Sequence, residues 1–468
     1  MRQTLFRALV LERGWSRFAT FDVKFGLARD ALAGREREPD LHRVTVSERT
    51  FERWMAGGLS SLPRPDTCRI LEHLFGNTAD ELFATAVSAG QGPGDATGPR
   101  SRPRAHAPAS TGLDVAWTHA DARRLVEGWS QGMLDRREFT AVWGAALWSA
   151  TPRTRLRTPD TSPATRRSRR LDAEPLLDLV DDITARAHDL DERHGSAAAA
   201  FVGDQFATVA RLARDTPHDL VVERRLHTSL GRLARTAGFM THEQADEGTA
   251  QRWYLTGLRA AHSAHDADLT ASILALMSNQ ATVCGRHRDA LHLARRAEHV
   301  ARDAAAPVRA MVAARACLAH AGAADLEGLC RAHDEALRHH HAPDDPTADR
   351  TELDALAGRA LVMIAPKTPD PGPLLDRAQH LLDGRVRQST GHERSALRHG
   401  AYKALAQLTT DDLDQAAHTT RQTLHHLPLV TSVQCGRLLD RLRRELHTHR
   451  RRSAEIRDVV DRFAQAAS

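Results

Sequence analysis

Apolar residues across 46–83 recur at helical spacing in three short blocks, each with its own start and stop signals. Ser47 can cap the first block, with Val46 just before the cap and Phe51 four residues inside it as the two ends of a hydrophobic staple. Phe51, Trp54 and Met55 share one helical face, and Arg49 and Arg53 share the other. Gly57-Gly58 stops that helix. Pro65 opens the next, which turns Ile70, Leu71, Leu74 and Phe75 inward and closes at Gly76. Thr78 with Glu81 forms a capping box for the third. Upstream, 2–12 is a helix with Leu5, Phe6 and Leu9 inward. Ser16 caps a longer one in which Phe18, Phe21, Phe25, Ala28 and Leu32 recur. The spacing therefore predicts a five-helix domain over 1–87.

The pattern then lapses. Residues 88–112 are rich in Gly and Pro, have little to bury, and read as a tether. Two apolar stripes follow in 113–150, Trp117/Leu125/Trp129/Met133 and Phe139/Trp143/Leu147, with Asp135 and Glu138 capping the second helix of a hairpin. Its four tryptophans (Trp117, Trp129, Trp143, Trp148) need a surface to dock on: the helices downstream, the N-terminal domain or a second copy. After a basic, Pro-bearing spacer at 151–170, the chain from 171 to 468 reads as antiparallel helix pairs. Breaks are expected near 215–219, 285–288, 321–325, 342–349, 366–372 and 409–411.

Composition agrees with an all-helical chain: Ala, Leu and Arg dominate, aromatics are 4%, and alternating strand-like runs are absent. The net charge of +5 is almost all arginine, the lysines being Lys24, Lys367 and Lys403. An Arg- and Ala-rich, Lys-poor chain also follows from a GC-rich genome, so charge alone does not argue for nucleic acid. Five cysteines are scattered without a C-x-x-C pair, as expected of small buried hydrophobes in a reducing compartment. Neither a signal peptide nor a membrane-spanning run is read, which points to a soluble, cytoplasmic protein with no membrane partner. The phosphate-loop, dinucleotide and nucleophile-elbow motifs are missing, so no catalytic residue and no cofactor is assigned. His339-His340-His341 point in successive directions on a helix and make no facing ligand pair, so no metal is assigned either. The basic run at 441–452 reads as a solvated face.

The residues of 46–83 resemble the helix-turn-helix domain of XRE-type repressors, most closely the actinobacterial regulators that join it to tetratricopeptide (TPR) repeats. The expected second helix, 15–35, is longer than in that family, and a polar stretch at 36–43 delays the recognition helix. Two downstream segments are similar to the TPR pattern. Gly238, Ala250 and Tyr254 keep its spacing in one; Met277, Gly285, Ala290, Ala294 and Ala297 keep it in the other. The resemblance implies an all-α chain: helix-turn-helix domain, linker, helical hairpin and a TPR-like α-solenoid with a period near forty residues.

Helix geometry and this resemblance nominate Ser47, Arg49, Thr50, Glu52 and Arg53 for contact with double-stranded DNA. Arginine pairs bidentately with guanine, and Ser47 and Thr50 sit at the helix start where phosphate is favoured. The plain alternative is two arginines solvating a surface helix. For an effector on the concave face, Asn279 occupies the position that clamps a ligand's backbone in peptide-binding relatives. Thr282 and Ser272 share that side, and Arg232, Arg235 and His242 hold similar places one repeat earlier. A buried Asn satisfied between helices is the competing account. The function expected is a sequence-specific transcriptional regulator, working as a homodimer with a peptide, small-molecule or protein effector. A TPR scaffold that sequesters a protein, or a plasmid- or chromosome-maintenance DNA binder, are the alternatives.

Overall fold

The computed structural model describes residues 4–12, 15, 18–36, 38–56, 62–75, 79–83, 141–144, 147–148, 150–152, 174–194, 198–215, 219–340 and 349–466. The chain divides into two compact units, Met1–Pro103 and Arg104–Ser468. The regular elements are helices, and no strand occurs among the described residues. Among the described residues no helix is long and apolar enough to cross a membrane. The all-helical class expected from the sequence holds.

The first unit packs α1 (Leu5–Glu12), α2 (Phe18–Glu36), α3 (Glu48–Met55), α4 (Pro65–Phe75) and α5 (Ala79–Phe83) around an aromatic centre. Phe6 meets the rings of Phe21, Phe51, Trp54, Phe75 and Phe83 at centroid distances of 5.2–6.3 Å, and Phe21 stacks on Phe51 at 4.6 Å. Rings supply large area per residue, so a small unit can hold itself together with few side chains. The polar stretch before α3 is not irregular: Pro39–Arg43 is a 3₁₀ turn that drives Leu41 into the core. The Gly57-Gly58 stop, the Ser16 cap and Thr78 of the capping box lie outside the described residues. At the start of α5 the Ala79 N–H instead donates to Glu72 Oε1 at 2.8 Å.

The second unit is a stack of helices. After α6 (Glu174–His194) and α7 (Ala199–Asp215) come α8 (Leu220–Glu243), α9 (Glu247–Ala264), α10 (Ala267–Val283), α11 (His287–Ala301), α12 (Ala306–Gly322) and α13 (Leu326–His339). α14 (Arg350–Ile364), α15 (Gly372–Arg387), α16 (Glu393–Thr409), α17 (Leu413–His425), α18 (Val433–His449) and α19 (Ala454–Ala466) complete it. Each even-numbered helix from α8 onward packs on the helix that follows it and on the next even-numbered one. The pairs begin at Leu220, Ala267, Ala306, Arg350, Glu393 and Val433, about forty residues apart, the spacing of a helical repeat.

One turn geometry recurs inside four of these pairs. Ala245, Gly285, Ala324 and Asp411 each adopt a left-handed backbone, with φ between 60 and 70°. In each case the next residue's N–H donates back to a carbonyl of the preceding helix: Asp246 to Thr241, Arg286 to Ala281, Asp325 to His320 and Asp412 to Gln407. Orphan carbonyls at the helix end are satisfied this way. Asp246, Asp325 and Asp412 then cap the next helix through a side-chain oxygen. Glycine allows the closest crossing in the first pair, where a Cβ at Gly238 would lie 2.6 Å from the Tyr254 ring.

The hairpin's second helix does not run through 141–144 as its apolar stripe suggested. Val142 is non-helical: its N–H donates to Gln251 Oε1 at 2.8 Å, and its carbonyl accepts from Gln251 Nε2 at 2.9 Å. A side-chain amide thus supplies the bonds a helix would have made. Gly144, with φ of 66°, turns its N–H onto Asp289 at 3.1 Å, and Trp148 stacks on His292 at 4.5 Å. The described residues between 141 and 152 therefore dock on the helix stack; Trp117 and Trp129 lie outside the described residues.

The ends of the stack also meet. The carboxylate of Glu243, at the end of α8, accepts from Arg398 Nη2 on α16 and from Ser432 Oγ at the start of α18, both at 2.5 Å. Gln434 Nε2 donates to Glu247 Oε1 at 2.9 Å and to the His242 carbonyl at 3.3 Å.

Candidate functional site

Two places gather exposed or cavity-lining charged side chains, one in each unit. In the first, α3 is eight residues long and anchored on one side: Phe51 and Trp54 are buried, and Val46 before its cap is buried in the same cluster. Ser47 caps it, its hydroxyl accepting from Thr50 N–H at 3.3 Å and lying 2.8 Å from Thr50 Oγ1. Ser47, Arg49, Glu52 and Arg53 are exposed, and Thr50 is half-buried. All five sequence-predicted DNA-contact residues therefore belong to one short helix and its cap.

Neither Arg49 nor Arg53 has an ion pair among the described residues. They stand four apart, about 6 Å along the axis at 1.5 Å per residue, with Glu48 and Glu52 as a second four-apart pair beside them. Like charges at that spacing weaken a helix slightly. The pattern adds nothing to the stability of α3, in contrast to Arg69, which is tied to Glu38 at 2.9 Å.

In the second unit, the inner helices α8, α10, α12, α14 and α16 surround a cavity of about 840 Å³. Its apolar wall is Phe239, Leu269, Leu276, Val308, Met311 and Leu356. Its polar wall is strongly basic. Seven arginines line it: Arg232 and Arg235 on α8, Arg315 on α12, Arg359 on α14, Arg385 on α15, and Arg394 and Arg398 on α16. The acids are four: Asp266, Asp268, Asp349 and Glu352.

Those acids are already engaged. Asp266 caps α10 through Leu269 N–H, and Asp268 accepts from Ala305 N–H at 2.8 Å. Asp349 caps α14 and pairs with Arg385, and Glu352 accepts from Ser395 Oγ at 2.7 Å with Arg385 Nε at 3.2 Å. Burial and then the nearby Arg315 and Arg232 push Arg235 down to about 10. Burial pushes His399 down to about 4; Glu352 opposes this, and Arg359, Arg398 and Arg385 reinforce it. At neutral pH the imidazole is uncharged.

Of the six effector residues expected from sequence, Arg232, Arg235 and Ser272 line this cavity. Asn279, Thr282 and His242 do not. Asn279 is 9% exposed with its Oδ1 buried and unpartnered. Thr282 donates to the Ser278 carbonyl, and His242 lies 2.8 Å from Glu247 Oε2. The other five arginines and His399 were not singled out in the sequence, because helices more than a hundred residues apart bring them together. Downstream, the basic run at 441–452 is partly neutralised: Arg450 pairs with Asp461 and Arg452 with Asp411.

Comparison with protein-family models, with curated proteins and with solved structures found no significant match to this chain.

Proposed function

We propose that the chain is a sequence-specific DNA-binding transcriptional regulator, with an XRE-like helix-turn-helix unit and a TPR-like helical solenoid that carries dimerisation and effector binding. The observation that carries the DNA half is α3: one face locked into an aromatic core, the other presenting Arg49 and Arg53 with no ion pair among the described residues. A short helix held in this way suits a major groove, where two arginines about 6 Å apart along the axis span roughly two base steps of 3.4 Å. The effector half is supported by a cavity lined from five inner helices, since a ligand touching all of them favours one curvature of the stack over another. In a dimer, that curvature sets the separation of two DNA-binding heads and hence the half-site spacing they fit.

The test is binding to the DNA upstream of the protein's own gene, measured at two salt concentrations. Specific, salt-steep binding is expected. Arg49→Ala and Arg53→Ala should each weaken it by about tenfold or more, a bidentate contact contributing ~1–3 kcal/mol. Binding no tighter than to random DNA, or binding untouched in the double variant, removes the regulator reading and leaves a protein-binding scaffold.

A further inference from the structure

We propose that the cavity inside the second unit binds a small organic anion carrying at least two negative charges, phosphate or carboxylate, on an apolar body. The inference names the ligand class for the effector half of the reading above and rests on that half alone.

The wall carries seven arginines against four acids; Glu243, outside the lining, pairs with Arg398, and even with it counted seven cations meet five anions. Arginines crowded together in a partly dry space repel one another, and a bound anion relieves that repulsion. Burial is the first cause that depresses Arg235, and the neighbouring Arg315 and Arg232 add to it. Two buried side-chain atoms also lack hydrogen-bond partners. Arg359 is 7% exposed and lies over the Tyr402 ring at 5.3 Å, and its Nε is buried without a hydrogen bond. His399 is 2% exposed, and its Nε2 is likewise unpartnered. Buried polar atoms are nearly always satisfied, so each of these marks a place for a ligand group. Arg359 supplies donors to an anionic oxygen. His399 is neutral; its Nδ1 lies 3.1 Å from Ser395 Oγ, whose proton goes to Glu352, so Nδ1 carries the ring proton and Nε2 accepts from a hydroxyl on the ligand.

Size and lining fix the rest of the ligand. A volume of about 840 Å³ falls within the 300–1,000 Å³ range usual for small-molecule sites. Phe239, with the Arg394 guanidinium 4.9 Å above its ring, offers a flat apolar surface at the edge of the charged zone. An inorganic ion alone would leave that surface uncovered.

The experiment uses the full chain and calorimetric titration with three probes that share one ring system: 1-naphthyl phosphate, naphthalene-1,8-dicarboxylate and neutral 1-naphthol. At least one of the two anions should bind, more tightly than naphthol by about tenfold or more, as expected for charge-assisted hydrogen bonds. Which anion binds tells phosphate from carboxylate. Arg359→Gln should weaken that binding by a similar factor. Arg235→Met should weaken it and also raise the thermal midpoint of the ligand-free protein, because a crowded charge is gone; a merely structural arginine would lower it. Should Arg359→Gln not fold, Arg232→Gln at an exposed position takes its place, with the same weakening expected. Failure of both anions to bind at millimolar concentration overturns the inference. So does naphthol matching the anions, or undiminished binding in the variants. None of these readouts involves DNA, so a negative operator experiment with intact anion binding leaves this inference standing.

Discussion

Ala324 illustrates how much of the molecule rests on single backbone angles. Its φ of 60° places it in the left-handed region, which costs a residue with a Cβ about 1 kcal/mol relative to glycine. Gly285 occupies the same point of its own turn at 70° and carries no such cost. Ala324→Gly should therefore raise the thermal midpoint of the second unit, by an amount equivalent to about 0.5 kcal/mol once the extra freedom of the unfolded chain is set against the relief. A calorimetric scan reads this directly, and a lowered midpoint would mean that the strain assigned to this turn is not there. Gly285 was legible from sequence as a turn residue. Ala245 and Ala324 were not, because alanine in a helical stretch reads as more helix.

Among the elements, the clearest cases are those whose neighbours are close in sequence. The cap, staple and buried face of α3 all follow from spacing within ten residues, and the structure has Ser47, Val46, Phe51 and Trp54 where that spacing puts them. The 3₁₀ turn at Pro39–Arg43 escaped notice since Leu41 is the single apolar residue in a polar run and has no periodicity of its own. Residues 141–144 were misread for the opposite reason. Their apolar stripe fits a helix, but Gln251, more than a hundred residues away, offers Val142 a different set of hydrogen bonds. The pairing of α8 with α9 depends on the close approach at Gly238. Gly238→Ala places a methyl 2.6 Å from the Tyr254 ring and should destabilise the second unit by about 1–3 kcal/mol, measured by denaturant titration. A variant as stable as the parent would mean that the two helices can separate freely at that crossing.

The whole second unit is governed by contacts no local pattern announces. Glu243 is 1% exposed, and burial works against its ionised form; Arg398, Arg394 and then the Ser432 hydroxyl outweigh that and hold it at about 2. A carboxyl depressed on folding stabilises the fold fully above the ordinary carboxyl value near 4.5, and that stability is lost as pH falls from there towards 2. The second unit should thus lose roughly 3 kcal/mol across that interval through this group. Glu243→Gln should abolish that part of the acid dependence and lower stability at pH 7 by about 3 kcal/mol, since it strands Arg398 without its partner. An unchanged acid limb in the variant would remove Glu243 from this role. The cavity is equally non-local: Arg232 and Arg398 line the same space from opposite ends of the stack, which is why three of the sequence-predicted effector residues reached it and three did not.

The joining of α8 to α16 and α18 has an evolutionary corollary. An open row of repeats can gain or lose a unit by duplication or deletion and still fold, because each member answers only to its neighbours. Here Glu243 must find Arg398 and Ser432 at a fixed count of helices, so adding or deleting a single pair would leave a buried carboxylate without its cations. Descendants of this chain should vary in loop length and outer surface, while the number of helix pairs between Glu243 and Ser432 stays constant.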